Sequence, residues 1–155
     1  MDGRHALRPR GAAVSAARSR GTRGGGSTLP GMDRTAFQQW LDDYVEAWRS
    51  YDPDAVGALF SERAEYRYHP WGEPVRGRAA IVQSWLEEPD EPGSWDARYE
   101  PWALDGDRGV AVGVSRYLAP DGRTVDREYH NVFLCRFDED GRCREFTELF
   151  VRRSD

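Results

Sequence analysis

The chain contains no lysine, and all 22 of its basic residues are arginine. A GC-rich coding bias accounts for this without invoking function. Histidine is scarce too, at three copies, and His5, His69 and His130 are too scattered to form a metal-ligand cluster. The two cysteines, Cys135 and Cys143, are too few for a disulfide framework and lack the paired spacing of a zinc site. They flank a predicted turn, where a one-residue change of hairpin register decides whether they face each other. As free thiols they suit a reducing compartment, so a cytoplasmic location is expected. No carboxylate cluster has calcium-loop spacing, and Gly24-Gly25-Gly26 precedes no strand–helix unit that could cradle a phosphate. No apolar run approaches the length of a membrane span. The sequence therefore points to no metal and no other cofactor.

Negative charge prevails, but unevenly. Residues 1–31 hold six arginines and one aspartate, a charge of +5, so the net −5 of the whole chain leaves −10 on residues 32–155. An acidic domain of this kind is a poor partner for nucleic acid or an anionic membrane surface. The first 31 residues lack the apolar centre of a secretory signal. Their Arg-, Ala- and Ser-rich, acid-poor composition loosely resembles a transit peptide. An RGG-like contact with RNA through Arg23 to Gly26 is the weakest reading. The simplest is a disordered Arg/Gly/Ala-rich tail, an extension ahead of Met32, because so little apolar surface does not offset the entropy of ordering. One domain over residues 32–155 is expected.

That domain is rich in aromatic residues, with six Trp, seven Tyr and six Phe in the chain. Phe37, Trp40, Leu41, Tyr44, Val45, Trp48 and Tyr51 recur at three- and four-residue steps, which predicts a helix with a broad aromatic face. Asp52-Pro53 is a cap followed by a helix-starting proline, and a second short helix runs through Val56, Leu59 and Phe60. Ala64 to His69 alternates as a strand, and Pro70 to Gly77 reads as loop. A third helix follows from Arg78 through Ile81, Val82, Trp85 and Leu86, until Pro89-Asp90-Glu91-Pro92-Gly93 stops it. The period then changes to two. Strands are predicted at Trp95–Leu104, Gly109–Leu118, 123–137 and 142–152, joined by turns at Asp105-Gly106-Asp107, Pro120-Asp121-Gly122 and Asp138–Gly141. Hairpin connections make the sheet mostly antiparallel, hence an α+β class.

In this order and spacing, AWRSYDPDAVGALF (47–60), AEYRYHPWGEPVRGRAAI (64–81) and NVFLCRFDEDGRCREF (131–146) resemble the nuclear transport factor 2-like superfamily in its SnoaL-like branch. The similarity spans about residues 34–152. It implies a cone-shaped domain, in which three N-terminal helices pack on a strongly curved, mostly antiparallel mixed sheet that encloses a cavity. Such domains are often dimeric. The resemblance implies no single reaction, because the fold serves isomerases, polyketide cyclases, dehydratases, epoxide hydrolases and non-catalytic modules.

Ketosteroid isomerase, a member of this fold, uses a carboxylate base with a tyrosine and a protonated carboxylic acid. By similarity its tyrosine falls on Tyr44, its base on His69 and its second acid on Phe133. One match, one substitution and one loss disfavour that steroid chemistry, and the Asp, Arg and Asp set of an epoxide hydrolase is not recognisable. His69 remains a candidate base, because imidazole titrates near neutrality. With simple alternation from Ala64 it points away from the face shared by Tyr66 and Tyr68, and a bulge would bring it round. Tyr44 is either a core residue or a pocket hydroxyl. Glu148 alternates with Phe146 and Phe150, facing either the cavity, with Arg116 as a candidate partner, or the convex side of the sheet.

If Phe133, Cys135 and Phe137 face inward, Asn131 does too and His130 faces out. Trp48, Trp85 and Trp102 read as core, and Asp126, Arg127 and Glu128 as solvated strand residues. The cavity would thus take a small hydrophobic ligand against Trp48, Tyr66, Tyr68, Trp71, Trp85, Asn131 and Phe133. As an enzyme the domain would perform cofactor-free proton transfer (isomerisation, dehydration or cyclisation) with His69, Tyr44 and Glu148. The alternative is a non-catalytic homodimeric interaction module whose cavity is filled.

Overall fold

Asp33 opens the fold. Its side chain accepts from the Ala36 backbone N–H at 2.7 Å and caps α1 (Arg34–Ser50), satisfying a donor that the first helical turn leaves unpaired. The aromatic stripe is the buried face of this helix, with Phe37, Trp40, Leu41, Tyr44, Ala47 and Trp48 all in the core. α1 ends at Tyr51, whose φ of 48° is a left-handed cap that a side chain adopts only at a cost. Asp52 then caps α2 (Pro53–Ala58) as its sequence predicts.

The computed structural model describes residues 31–155, and the expected disordered tail falls almost wholly outside the described residues. After α2 come β1 (Phe60–Arg67), β2 (Val75–Arg76), α3 (Arg78–Leu86), β3 (Trp95–Asp105), β4 (Arg108–Leu118), β5 (Val125–Phe137) and β6 (Cys143–Arg152). They form an open six-stranded sheet in the order β2-β1-β6-β5-β4-β3. Every pairing is antiparallel except β1 with β6, so the sheet is mixed and the class is α+β. The helices cover its concave face, and the core lies between them: the cone expected from the sequence.

Three local readings change, and one that was open is decided. Phe60 continues the helix by periodicity, yet it starts β1, because tertiary partners take the carbonyls a further turn would use. Trp40 Nε1 and the Cys143 N–H donate to Leu59 O at 3.0 and 2.9 Å, and Arg78 Nε donates to Phe60 O at 2.9 Å. Within the expected loop 70–77, Val75 and Arg76 pair as β2 with Tyr66 and Glu65. Trp102 is 70 % exposed rather than core, where the register of β3 against β4 shifts beside Pro101, a residue with no N–H to give the ladder. At the β5–β6 end a shift between Arg136 and Phe137 sets Cys143 opposite Phe137. Cys143 thereby comes to the same buried face as Cys135; both are free, and burial followed by the neighbouring Cys143 raises the Cys135 thiol pKa.

Candidate functional site

The interior of the cone is filled by rings. Tyr44 packs on Trp85, Phe133 and Phe146 at centroid distances of 5.1, 5.3 and 5.6 Å, and Tyr66 stacks on Phe146 at 4.6 Å. Polar groups are threaded through this apolar mass. Glu148, only 1 % exposed, accepts at Oε1 from Asn131 Nδ2 at 3.0 Å. Asn131 Oδ1 in turn accepts from Ser115 Oγ at 3.1 Å, and Ser115 is hydrogen-bonded to Tyr99. The Tyr44 and Tyr66 hydroxyls are 3.1 Å apart. Tyr44 comes from α1, Tyr66 from β1, Tyr99 from β3, Ser115 from β4, Asn131 from β5 and Glu148 from β6, so the cluster exists only in the assembled sheet.

Burial dominates its electrostatics. It pushes the Glu148 carboxyl up to about 8, against a smaller opposing effect of the Asn131 hydrogen bond. Near neutrality this side chain is mainly the neutral acid, a hydrogen-bond donor inside an apolar site. Desolvation also raises the Tyr44, Tyr66 and Tyr99 phenols well above their usual range, with the Glu148 charge adding to each. The arrangement therefore holds its protons. It can donate hydrogen bonds to an acceptor and, through Glu148, exchange one proton in mildly alkaline conditions.

The predicted residues divide into groups. Tyr44, Tyr66, Phe133, Asn131 and Glu148 meet in the interior, and Trp85 packs against Tyr44. Arg116, considered as the partner of Glu148, instead bonds Glu128 at 2.8 Å on the outer face. Glu128 is not a solvated strand residue, being also held by His130 and Arg153, and the Arg116 hydrogen bond above all lowers its pKa to about 2. His69 lies beyond the end of β1, half-buried, stacked on Trp71 at 5.3 Å and 5.8 Å from Phe150. Trp71 is 74 % exposed. Both stand at the rim, apart from the interior cluster. Tyr68 bonds Ser84 of α3 at 2.6 Å. Among the described residues no three His, Cys, Asp or Glu side chains gather to hold a metal ion.

A second group joins Trp48, expected as a wall of the cavity, to residues the sequence did not single out. Trp48 stacks on Trp95 at 3.6 Å and donates from Nε1 to Asp90 Oδ2 at 3.0 Å. Tyr51 donates to the same oxygen at 3.2 Å and accepts from the Asp90 N–H at 2.9 Å. These bonds tether the α3–β3 connection to the strained end of α1 and explain why Tyr51 holds its left-handed conformation. Asp90 sits in a segment that reads simply as a helix breaker, so nothing local marks it. Ser115 and Tyr117 share the inward phase of β4 with Ala111, and that alternation was the available signal.

Helices on the concave side of an open, curved mixed sheet define a nuclear transport factor 2-like domain. Solved structures agree. An NTF-2 like protein of unknown function from Burkholderia xenovorans LB400 superposes with a TM-score of 0.59 at 17 % identity, covering 78 % of this chain and 87 % of that one. A candidate ketosteroid isomerase from Kribbella flavida DSM 17836 superposes at 0.57 with 19 % identity, covering 79 % and 83 %. An NTF2-like protein of unknown function from Cytophaga hutchinsonii ATCC 33406 gives 0.54 with 18 % identity over 74 % and 98 %. At such identities the likeness establishes the fold alone. No curated protein matches by sequence. The model of the SnoaL-like domain matches residues 41–146, and the chain belongs to that family. No helix among the described residues is long and apolar enough to cross a membrane.

Proposed function

We propose that the domain binds a small hydrophobic molecule within the cone and presents to it the neutral carboxyl of Glu148 together with tyrosine hydroxyls. The carrying observation is the Glu148–Asn131–Ser115 chain, buried among aromatic rings. A carboxyl in an apolar core is a costly choice where an aliphatic side chain would pack, and its use is to donate a hydrogen bond or proton. As a catalyst the site would carry out cofactor-free proton transfer on a carbonyl-type substrate, namely isomerisation, dehydration or cyclisation. Glu148 would be the acid and Tyr44 a second donor. His69, at the rim, is assigned no proton transfer in this scheme. Because rings fill the interior, a ligand enters only as side chains over Glu148 swing aside. Two unbridged buried thiols fit a reducing compartment, and we place the protein in the cytoplasm.

The test is native mass spectrometry of the purified chain, followed by denaturation and identification of any released small molecule. A compound retained by wild type and His69→Ala but lost in Glu148→Gln and Tyr44→Phe is the expected result. A ligand-free protein, unaffected in stability by a hydrophobic library, would sink this reading.

A second reading is favoured by a different surface. On the outward face of the sheet Val151 is 71 % and Leu134 45 % exposed, beside half-buried Val110, Val112, Val132 and Leu149. Such a patch suits a homodimer, with or without a ligand inside. Leu134→Arg should then convert a dimer to a monomer in light scattering. A wild-type monomer at high concentration would exclude it.

A further inference from the structure

The open end of the cone holds a recess of about 940 Å³, walled by Pro89, Asp90 and Pro92 of the α3–β3 connection and by Tyr117, Pro120 and Arg127. Its inner wall is Tyr117, a residue only 4 % exposed whose hydroxyl has no hydrogen-bond partner. A buried, unpaired phenol in an otherwise well-bonded fold needs an explanation. The position of the ring supplies one. The Tyr117 phenol is close enough to Asp90 at the recess, and to Tyr99 and Glu148 in the interior, to feel all three electrostatically. Tyr117 thus stands between the recess and the polar cluster. Asp90, whose Oδ2 accepts from Trp48 and Tyr51, makes no hydrogen bond to it.

The charges around the recess restrict its occupant. Glu88, Asp90, Glu91 and Asp126 line it against a single Arg127, so an anion meets a net negative field. Nor is the face of Tyr117 open to a cation, since the Arg127 guanidinium already lies over the ring at 4.7 Å. Three prolines and Leu118 supply apolar wall. We propose that this recess binds an uncharged, largely apolar molecule whose carbonyl, or equivalent acceptor, takes the hydrogen bond of the Tyr117 hydroxyl. The inference rests on the small-molecule reading of the cone and deepens it, giving that molecule its place of entry and its chemical class.

The experiment uses the full chain and 6-propionyl-2-(dimethylamino)naphthalene, a neutral ketone whose emission reports both apolar surroundings and hydrogen bonding at its carbonyl. Saturable binding to wild type is expected, weakened about 5–10-fold in Tyr117→Phe with a blue shift of the bound emission, as for one lost neutral hydrogen bond. A sulfonate naphthalene should bind at least about tenfold more weakly than the ketone, because the recess is net negative. Tyr117→Phe should also unfold at the same or higher urea concentration than wild type, because it removes an unpaired hydroxyl. A destabilised variant would mean the hydroxyl has a structural partner, and would overturn the proposal. Unchanged ketone binding in Tyr117→Phe with binding lost in Glu148→Gln would also overturn it, moving the ligand inward while sparing the cone reading. Failure of the ketone to bind wild type would reject the proposed ligand class. If the mass spectrum is also ligand-free, the small-molecule reading falls with it. A sulfonate analogue binding as tightly as the ketone would refute the charge argument.

Discussion

Replacing Glu148 by glutamine should remove a pH dependence from the stability of the fold. The carboxyl is raised from 4.5 to about 8 by burial. Below the unfolded value both states are protonated and the contribution is fully present. As pH rises from there, the unfolded chain releases the proton while the folded chain keeps it, so stability falls until the folded value is passed. At about 1.4 kcal/mol per unit, the loss is on the order of 5 kcal/mol. That is a third or more of the roughly 5–15 kcal/mol that holds a domain together. The assay is urea unfolding followed by tryptophan fluorescence at intervals from pH 5 to 8.5. The wild-type midpoint should fall steadily, the Glu148→Gln midpoint should stay nearly level, and the variant should be the more stable protein at pH 8. Other shifted groups act elsewhere. Glu128, lowered to about 2 chiefly by Arg116, contributes stability that is lost only in acid, and Tyr51, raised to about 12 by burial, acts only in strong alkali. A level wild-type profile, or the same slope in both proteins, would refute a neutral buried acid.

A double-mutant cycle on Tyr44→Phe and Tyr66→Phe should give a coupling of about 1 kcal/mol in urea unfolding, because their hydroxyls bond each other; zero coupling would show that each is satisfied elsewhere. Gly113→Ala should lower the melting temperature by several degrees, about 1–3 kcal/mol or more, since an added Cβ would collide with the Arg98 carbonyl and the Tyr99 ring of β3. A neutral result would mean that β3 and β4 lie further apart. Asp33→Ala should cost about 1 kcal/mol of stability through the lost cap on α1, and an unchanged unfolding midpoint would count against it.

What the sequence shows plainly is whatever depends on near neighbours. The stripe of α1, the Asp52-Pro53 start of α2 and the period-two strands β3 to β6 are local patterns, and the structure keeps them. The parallel pairing of β1 with β6 is not local. It joins Tyr66 to Phe146 across most of the domain, and no turn chemistry announces it. The same holds for the end of α2, fixed by Trp40 and Arg78 from other elements, and for β2, a two-residue strand inside a proline-rich loop. In the site, alternation of Glu148 with Phe146 and Phe150 marked the unusual carboxylate, but phase alone did not choose between the two faces of the sheet. Burial and Asn131 settle that choice. Tyr117 carried no motif, because an inward tyrosine on a strand is ordinary until its hydroxyl is found without a partner.

One pairing connects the resemblance to the chemistry. The position where similarity to ketosteroid isomerase expects a second acid is Phe133, and the residue directly across the ladder from Phe133 is Glu148. β6 thus carries a buried carboxyl one strand spacing, about 5 Å, from that position on β5. The shift is towards β1, and among the charges that act on Tyr66 that of Glu148 ranks first, whereas for Tyr44 it ranks behind Tyr66. On the reading proposed above, a substrate carbonyl bound by the neutral acid would lie toward the Tyr66 side of the cone. On the same reading, an acid and a tyrosine, moved over by one strand and without the isomerase's carboxylate base, would serve a molecule of different shape. A ligand arriving by the proposed recess would meet the Tyr117 hydroxyl first and the acid only behind it.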